Sequence, residues 1–214
     1  MKSLLILLAI VVIASCEPEH PRWPTKFSVD FSETFKYGPL EKSTDGSFFY
    51  DAASGRYKIS RENGHYDRYC GANGLKIFQN TPCEQIVDAS GDRYIHYPEK
   101  NQCCFCCDAV HGCGILKPNW QQGAEFLGET EYNGVSAYKW DKKGLQSNFY
   151  YETISENPEN RIMLGIDQQP NDNQVYDPAT WSRDFDDSEL ELPSICDRSN
   201  TCSWVSVCTA VNHA

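Results

Sequence analysis

Apolar and polar residues alternate with a period of two along most of this chain, the signature of half-buried strands rather than of helices. Phe27, Val29, Phe31, Phe35 and Tyr37 fall on alternate positions with polar residues between them, which predicts one such strand. Residues 48–51 and 57–61 flank Ala52-Ala53-Ser54-Gly55, and 84–88 and 93–97 flank Ala89-Ser90-Gly91-Asp92, so each pair predicts a hairpin. Three more strands are expected over 124–131, 135–141 and 145–153, joined by Asn133-Gly134 and then by Lys142-Lys143-Gly144. The Asn-Gly step supplies the two positive φ angles of a tight turn. A last strand over 161–167 follows the connector Glu156-Asn157-Pro158-Glu159-Asn160, and helix is confined to a turn or two over 187–192, before Pro193. The expected fold is all-β: a curved antiparallel meander, a half-barrel or open sandwich, whose apolar face must be covered or used.

Aromatic residues gather in the three-strand stretch. Trp120, Phe126, Tyr138, Trp140, Phe149 and Tyr151 exceed what a plain sheet contact needs, and a curved sheet lined with them can enclose an apolar ligand. The same rings also suit the filled core of a sandwich. Alternation puts Trp140 on the side of Tyr138 and Ser136, away from Val135 and Ala137, so Trp140 is a candidate ligand contact.

The N-terminus reads as a secretory signal: Lys2, an apolar run over 4–14, and small residues at Ala14-Ser15-Cys16. The run is too short to span a bilayer of ~30 Å, and no later stretch is apolar enough to cross one. Cleavage after Cys16 leaves ten cysteines, an even number, and a single domain over 17–214; cleavage after Ser15, or a lipid-bearing Cys16 in a lipobox-like Ile13-Ala14-Ser15-Cys16, remain as alternatives. The expected location is extracellular, with a lysosomal or other endomembrane lumen also compatible. Loss of Lys2 takes the net charge from -11 to -12, which repels nucleic acid. No usable glycosylation sequon occurs, because Asn80-Thr81 is followed by Pro82.

Five cysteines crowd the insertion at 103–113: Cys103, Cys104, Cys106, Cys107 and Cys113. In an oxidising compartment such density means disulfides first. The spacings Cys103-x-x-Cys106 and Cys104-x-x-Cys107 also suit redox chemistry, and His111 with Cys113 suits zinc, but no strand-helix context and no second well-spaced knuckle accompany them. No metal or other cofactor is expected. Catalytic signatures are missing: there is no Gly-x-Ser-x-Gly and no His-Glu-x-x-His, and His65, His96 and His111 have nothing to orient them toward a nucleophile. Asn171-Asp172-Asn173 with Asp167 and Asp177 imitates a calcium loop without its central Gly or bidentate Glu, and is expected to be an exposed connector.

Four landmarks resemble the ependymin-related proteins: Pro82-Cys83 before a hairpin, Asn101-Gln102-Cys103 after it, Asp187-Ser-Glu-Leu-Glu-Leu-Pro-Ser-Ile-Cys196, and Cys202-Ser203-Trp204. The segment 49–59 fits that family's first hairpin. The resemblance implies a secreted protein with a strongly curved open sheet like that of LolA-type lipoprotein carriers, a lipid-like ligand, and disulfides Cys83–Cys202 and Cys103–Cys196. Cys70, Cys104, Cys106, Cys107, Cys113 and Cys208 have no counterpart there, which makes the chain a divergent member, similar to cysteine-rich secreted proteins of protists. The expected function is non-catalytic binding of a hydrophobic small molecule or lipid, with a homodimer allowed. A structural or adhesive protein without ligand is the second reading, and a redox or metal-binding cysteine cluster the third.

Overall fold

The computed structural model describes residues 17–65, 67, 69–71, 80–144, 147–203 and 206–208. The signal-like segment with Cys16, the start of the strand expected at 145, and Trp204 lie outside the described residues.

Among the described residues, eleven strands form one antiparallel sheet: β1 (Lys26–Tyr37), β2 (Leu40–Asp51), β3 (Arg56–Arg61), β4 (Cys83–Val87), β5 (Arg93–Tyr97), β6 (Gln102–Cys107), β7 (Glu125–Tyr132), β8 (Val135–Lys143), β9 (Ser147–Thr153), β10 (Met163–Gln168) and β11 (Asp172–Tyr176). Their order across the sheet is β6-β5-β4-β3-β2-β1-β11-β10-β9-β8-β7. Two meanders, β1 to β6 and β7 to β11, therefore meet where β11 pairs with β1, and the sheet stays open, with β6 and β7 at its ends. The hairpins obey turn chemistry. Asn133 (φ 49°) and Gly134 (φ 81°) close β7–β8, and Gly38 (φ 59°) closes β1–β2 ahead of Pro39.

Three stretches differ from the sequence expectation. β2 begins eight residues earlier than 48, because its first half is mostly exposed and carries no apolar alternation to betray it. The segment expected to be a calcium-like connector instead supplies β11, and Asp172 and Gln174 face the same side as buried Tyr176. Polar side chains on the covered face hide the period there. β6 is the third, and its cysteines take up the alternation.

One face, here called inner, carries the main core. Phe27, Val29 and Phe31 of β1 lie beside Phe48 and Tyr50 of β2, Tyr57 of β3, Val87 of β4, Tyr176 of β11, Ile166 of β10, Tyr150 of β9 and Trp140 of β8, all buried. Burying each side chain of this size contributes ~1.5–3 kcal/mol. Gly46 is required beneath the Phe31 ring, since a Cβ there would strike both that ring and the Ser60 carbonyl. The opposite face holds a smaller cluster of Ala137, Tyr151 and Leu164, with Tyr132, Val135 and Phe149 against it.

Among the described residues, five disulfides join Cys70–Cys83, Cys103–Cys196, Cys104–Cys202, Cys106–Cys208 and Cys107–Cys113. The Cys83–Cys202 bond implied by the resemblance is not formed; Cys83 takes Cys70 and Cys202 takes Cys104. Alternation explains why vicinal cysteines avoid one another. Along β6 the side chains of Cys103 and Cys104 point to opposite faces, so each must reach a different segment of the C-terminal tail. Cys113 and His111 make no zinc pair either: Cys113 is bonded to Cys107, and His111 Nδ1 lies 2.7 Å from Asp108 Oδ1. The bonds to Cys196, Cys202 and Cys208 span 93, 98 and 102 positions, where chain entropy gives ~4.7 kcal/mol for a loop of about a hundred residues. Cys196→Ser is expected to lower stability by ~2–5 kcal/mol in urea unfolding. Non-reducing peptide mapping of the wild type should find Cys196 with Cys103; a bond to Cys202 or Cys208 would refute the pairing.

Candidate functional site

The inner face is not completely filled. A cavity of about 420 Å³ lies between it and the cover residues 17–25, 62–65, 67, 69–71 and 113–124, within the roughly 300–1,000 Å³ usual for small-molecule sites. Tethers hold those cover segments down. Trp23 donates its backbone N–H to Pro118 O at 2.9 Å and its indole N–H to the Tyr150 hydroxyl at 3.0 Å, while Tyr50 Oη donates to Leu116 O at 2.6 Å. Trp120 stands edge-on to Trp23, ring centres 5.2 Å apart. Asp67 organises the third cover: its carboxylate accepts from the backbone N–H of Tyr69 and Cys70 and from Gln85 Nε2, and Cys70 is bonded to Cys83 at the start of β4.

The cavity has two kinds of wall. Trp23, Phe48, Tyr50, Tyr57, Ile59 and Ile166 supply an apolar part, joined by Leu116 and Trp120 from a cover segment. Arg61, Asp67, Gln85, Arg93, Asp172 and Gln174 supply a polar part. Register explains the polar part. Arg61 continues the face of Tyr57 and Ile59, and Gln174 of β11 is paired with Glu33 of β1. Arg61 forks onto Glu33, through Nε and, at 3.1 Å, through Nη2. Gln174 Nε2 donates to the same carboxylate at 2.8 Å, and Gln174 Oε1 accepts from the Tyr176 hydroxyl at 2.8 Å. Asp67 Oδ2 approaches Arg61 Nη2 at 3.5 Å.

Electrostatics follow from this packing. Burial would raise the Glu33 carboxyl, but the Arg61 charge and hydrogen bonds hold it below its ordinary value. Asp172 has no cation of its own: burial first, then the Glu33 charge, push it up to about 7. Among the described residues four polar atoms on the cavity wall are buried without a hydrogen-bond partner, namely Arg61 Nη1, Arg93 Nε, Trp120 Nε1 and Asp172 Oδ1. Three of the four are donors. Unpaired buried donors are costly, so a wall of this kind favours an occupant with acceptor oxygens.

The six aromatic candidates from the sequence divide into three groups. Trp120 lines the cavity. Phe126, Tyr138 and Trp140 pack together away from it, with ring centres 5.5 and 5.0 Å apart, and Trp140 is fully buried with its indole N–H on Glu152 Oε1 at 3.0 Å. Glu152 also meets Arg161 at 2.8 Å, and burial still pushes its carboxyl up to about 7. Phe149 and Tyr151 face the other way. The β8–β9 register sets Trp140 opposite Tyr150, which sends Phe149 and Tyr151 to the outer face with Lys139. The sequence reading missed Arg61, Arg93, Gln85 and Asp172; the available signal was an arginine on the apolar side of Tyr57 and Ile59.

An all-β open sheet with a covered inner cavity thus defines the class. The chain belongs to the family described as "Domain of unknown function (DUF8395)", whose model matches residues 45–170. The ependymin-related resemblance therefore rests on the sequence landmarks alone. No curated protein matches. Among solved structures, an uncharacterised conserved protein from Thermus thermophilus aligns at 8% identity over 79% of this chain and 86% of that one, with a TM-score of 0.49. A putative outer membrane lipoprotein-sorting protein domain from Vibrio parahaemolyticus aligns at 7% identity over 78% and 89%, at 0.39. A LolA superfamily protein from Nitrosomonas europaea aligns at 9% identity over 80% and 92%, at 0.37. These scores carry nothing over to this chain, and the site stands on its own geometry.

Two outcomes are expected. Trp140→Ala should cost ~3–5 kcal/mol of stability, because Trp140 fills core rather than cavity wall; calorimetric melting measures the loss. Asp172 carries a folded pKa above its unfolded value of 3.8, so the folded state holds the extra proton and stability from this group falls as pH rises from about 4 to 7. Asp172→Asn should therefore gain on the wild type across that window, reaching ~4 kcal/mol at pH 8. A constant difference from pH 4 to 8 in urea unfolding would refute it.

Proposed function

We propose that this protein is a non-catalytic binder that holds one hydrophobic or amphipathic small molecule in the inner-face cavity, with residues 1–16 as its signal peptide and 17–214 as one domain. The observation that carries this reading is the cavity itself: an aromatic and aliphatic wall continued by a polar one, on the face of the sheet that carries the main core. The space of about 420 Å³ beside Trp23, Tyr57 and Trp120 has the volume and the mixed apolar and polar lining of a small-molecule site. Trp120 is the ligand contact among the aromatics read from the sequence. Five disulfides fit an extracellular or lumenal compartment, and no helix among the described residues is long and apolar enough to cross a membrane.

A neutral probe tests the reading without reference to any charge in the site. Wild-type protein titrated calorimetrically with 1-dodecanol below its solubility limit should bind one molecule. Ile59→Trp, which grows into the cavity, should weaken that binding by roughly tenfold or more while the melting temperature holds within a few degrees. Absence of wild-type binding, together with a lipid-free organic extract, would end the ligand-binding reading and leave the structural one.

A further inference from the structure

Among the described residues, Arg93 is the one cavity-wall cation without a counter-charge. Arg61 already has Glu33 and Asp67, both turned onto its guanidinium. Arg93, by contrast, makes no ion pair with any described residue, and the undescribed residues after position 16 include no Asp or Glu. The chain is otherwise rich in acid, with a net charge of -11, so counter-ions are not scarce. Position explains the vacancy. β5 pairs Arg93 with Val87 of β4, and Val87 with Tyr57 of β3, so Arg93 enters the inner face through an apolar row. Its guanidinium sits 5.1 Å from the Tyr69 ring centre and 5.9 Å from that of Tyr57, and its Nε is buried without a partner.

Two ring faces and a hydrogen bond with the Tyr57 hydroxyl partly compensate the cation, but its Nε–H stays unpaired, and Nε with a neighbouring Nη is the edge of a guanidinium that matches a carboxylate. We infer that the ligand of this cavity is an amphipathic carboxylic acid, its carboxylate paired with Arg93 and its apolar body laid against Tyr57, Ile59, Phe48 and Trp120. This inference rests on the binding function proposed above and adds the head group. The acids already on the wall do not oppose it, because Glu33 and Asp67 are held by Arg61 and the Asp172 carboxyl keeps its proton up to about pH 7.

The test compares dodecanoate with 1-dodecanol, the same chain with and without the charge, on wild type and Arg93→Gln at pH 6.5, by calorimetry with full-length disulfide-bonded protein. A charge-assisted pair in a partly buried site should favour dodecanoate by roughly 10- to 100-fold in the wild type. Arg93→Gln should abolish that preference and leave dodecanol binding intact. Equal wild-type affinity for acid and alcohol would overturn the inference while the binding function stands. A preference that survives in Arg93→Gln would move the head group to another cation and also overturn it. Binding of neither probe by the wild type would remove the binding function and this inference together. If Arg93→Gln does not fold, the wild-type comparison of the two probes decides alone.

Discussion

The inner face depends on a buried ion pair, the forked contact of Arg61 with Glu33. Both side chains are nearly inaccessible, and the pair bridges β3 and β1 across β2, while Gln174 extends the same network to β11. β1–β11 is the single junction between the two meanders, so this network holds the halves of the sheet in register at the point where no short turn does so. Desolvating two charges is costly, and their attraction offsets that cost only when the geometry and the remaining hydrogen bonds are good. Here Gln174 and Asp67 provide the additional hydrogen bond and charge. Glu33 and Arg61 also make one end of the apolar face polar, which turns what would be a closed aromatic core into a cavity with two chemistries.

Covalent bonds act on a different problem, the edges of an open sheet. At β6 the C-terminal tail lies alongside: Phe105 donates to Asn200 O at 2.7 Å and accepts from the Cys202 N–H at 2.9 Å, and three disulfides pin the tail there. That edge is capped by the chain's own end. At β7 no described strand lies on the outer side, and Glu125, Glu129 and Glu131 are exposed along it, charges that discourage edge-to-edge pairing. The cysteine-rich segment is therefore the covered edge itself, the anchor for the tail, and its cysteines are all consumed in bonds.

How much of this was legible in the sequence depends on which face a residue serves. Strands with apolar inner positions and polar outer ones, such as β1, announced themselves through the period of two. Polar inner positions stayed silent: Glu33 is a gap in the stripe from Phe27 to Phe35, and Asp172 and Gln174 made β11 look like a calcium-type loop. Those silent positions build the polar wall of the cavity, so the pattern that reveals the fold conceals the site. Phe149 and Tyr151 erred differently. Their composition suited a ligand wall, but the face of a residue in β9 is fixed only by its register against β8, which sets Trp140 opposite Tyr150. Disulfide pairing was hidden for a related reason, since cysteine spacing does not say which face of β6 each thiol occupies.

The most direct measurement of the account is the position of an apolar chain inside the protein. Crystals grown with 12-bromo-1-dodecanol should show an anomalous bromine peak within the cavity bounded by Tyr57, Ile59, Trp120 and Ile166. Bromine found only on the outer surface, or protein density filling that space, would contradict the claim that the inner face is a binding site.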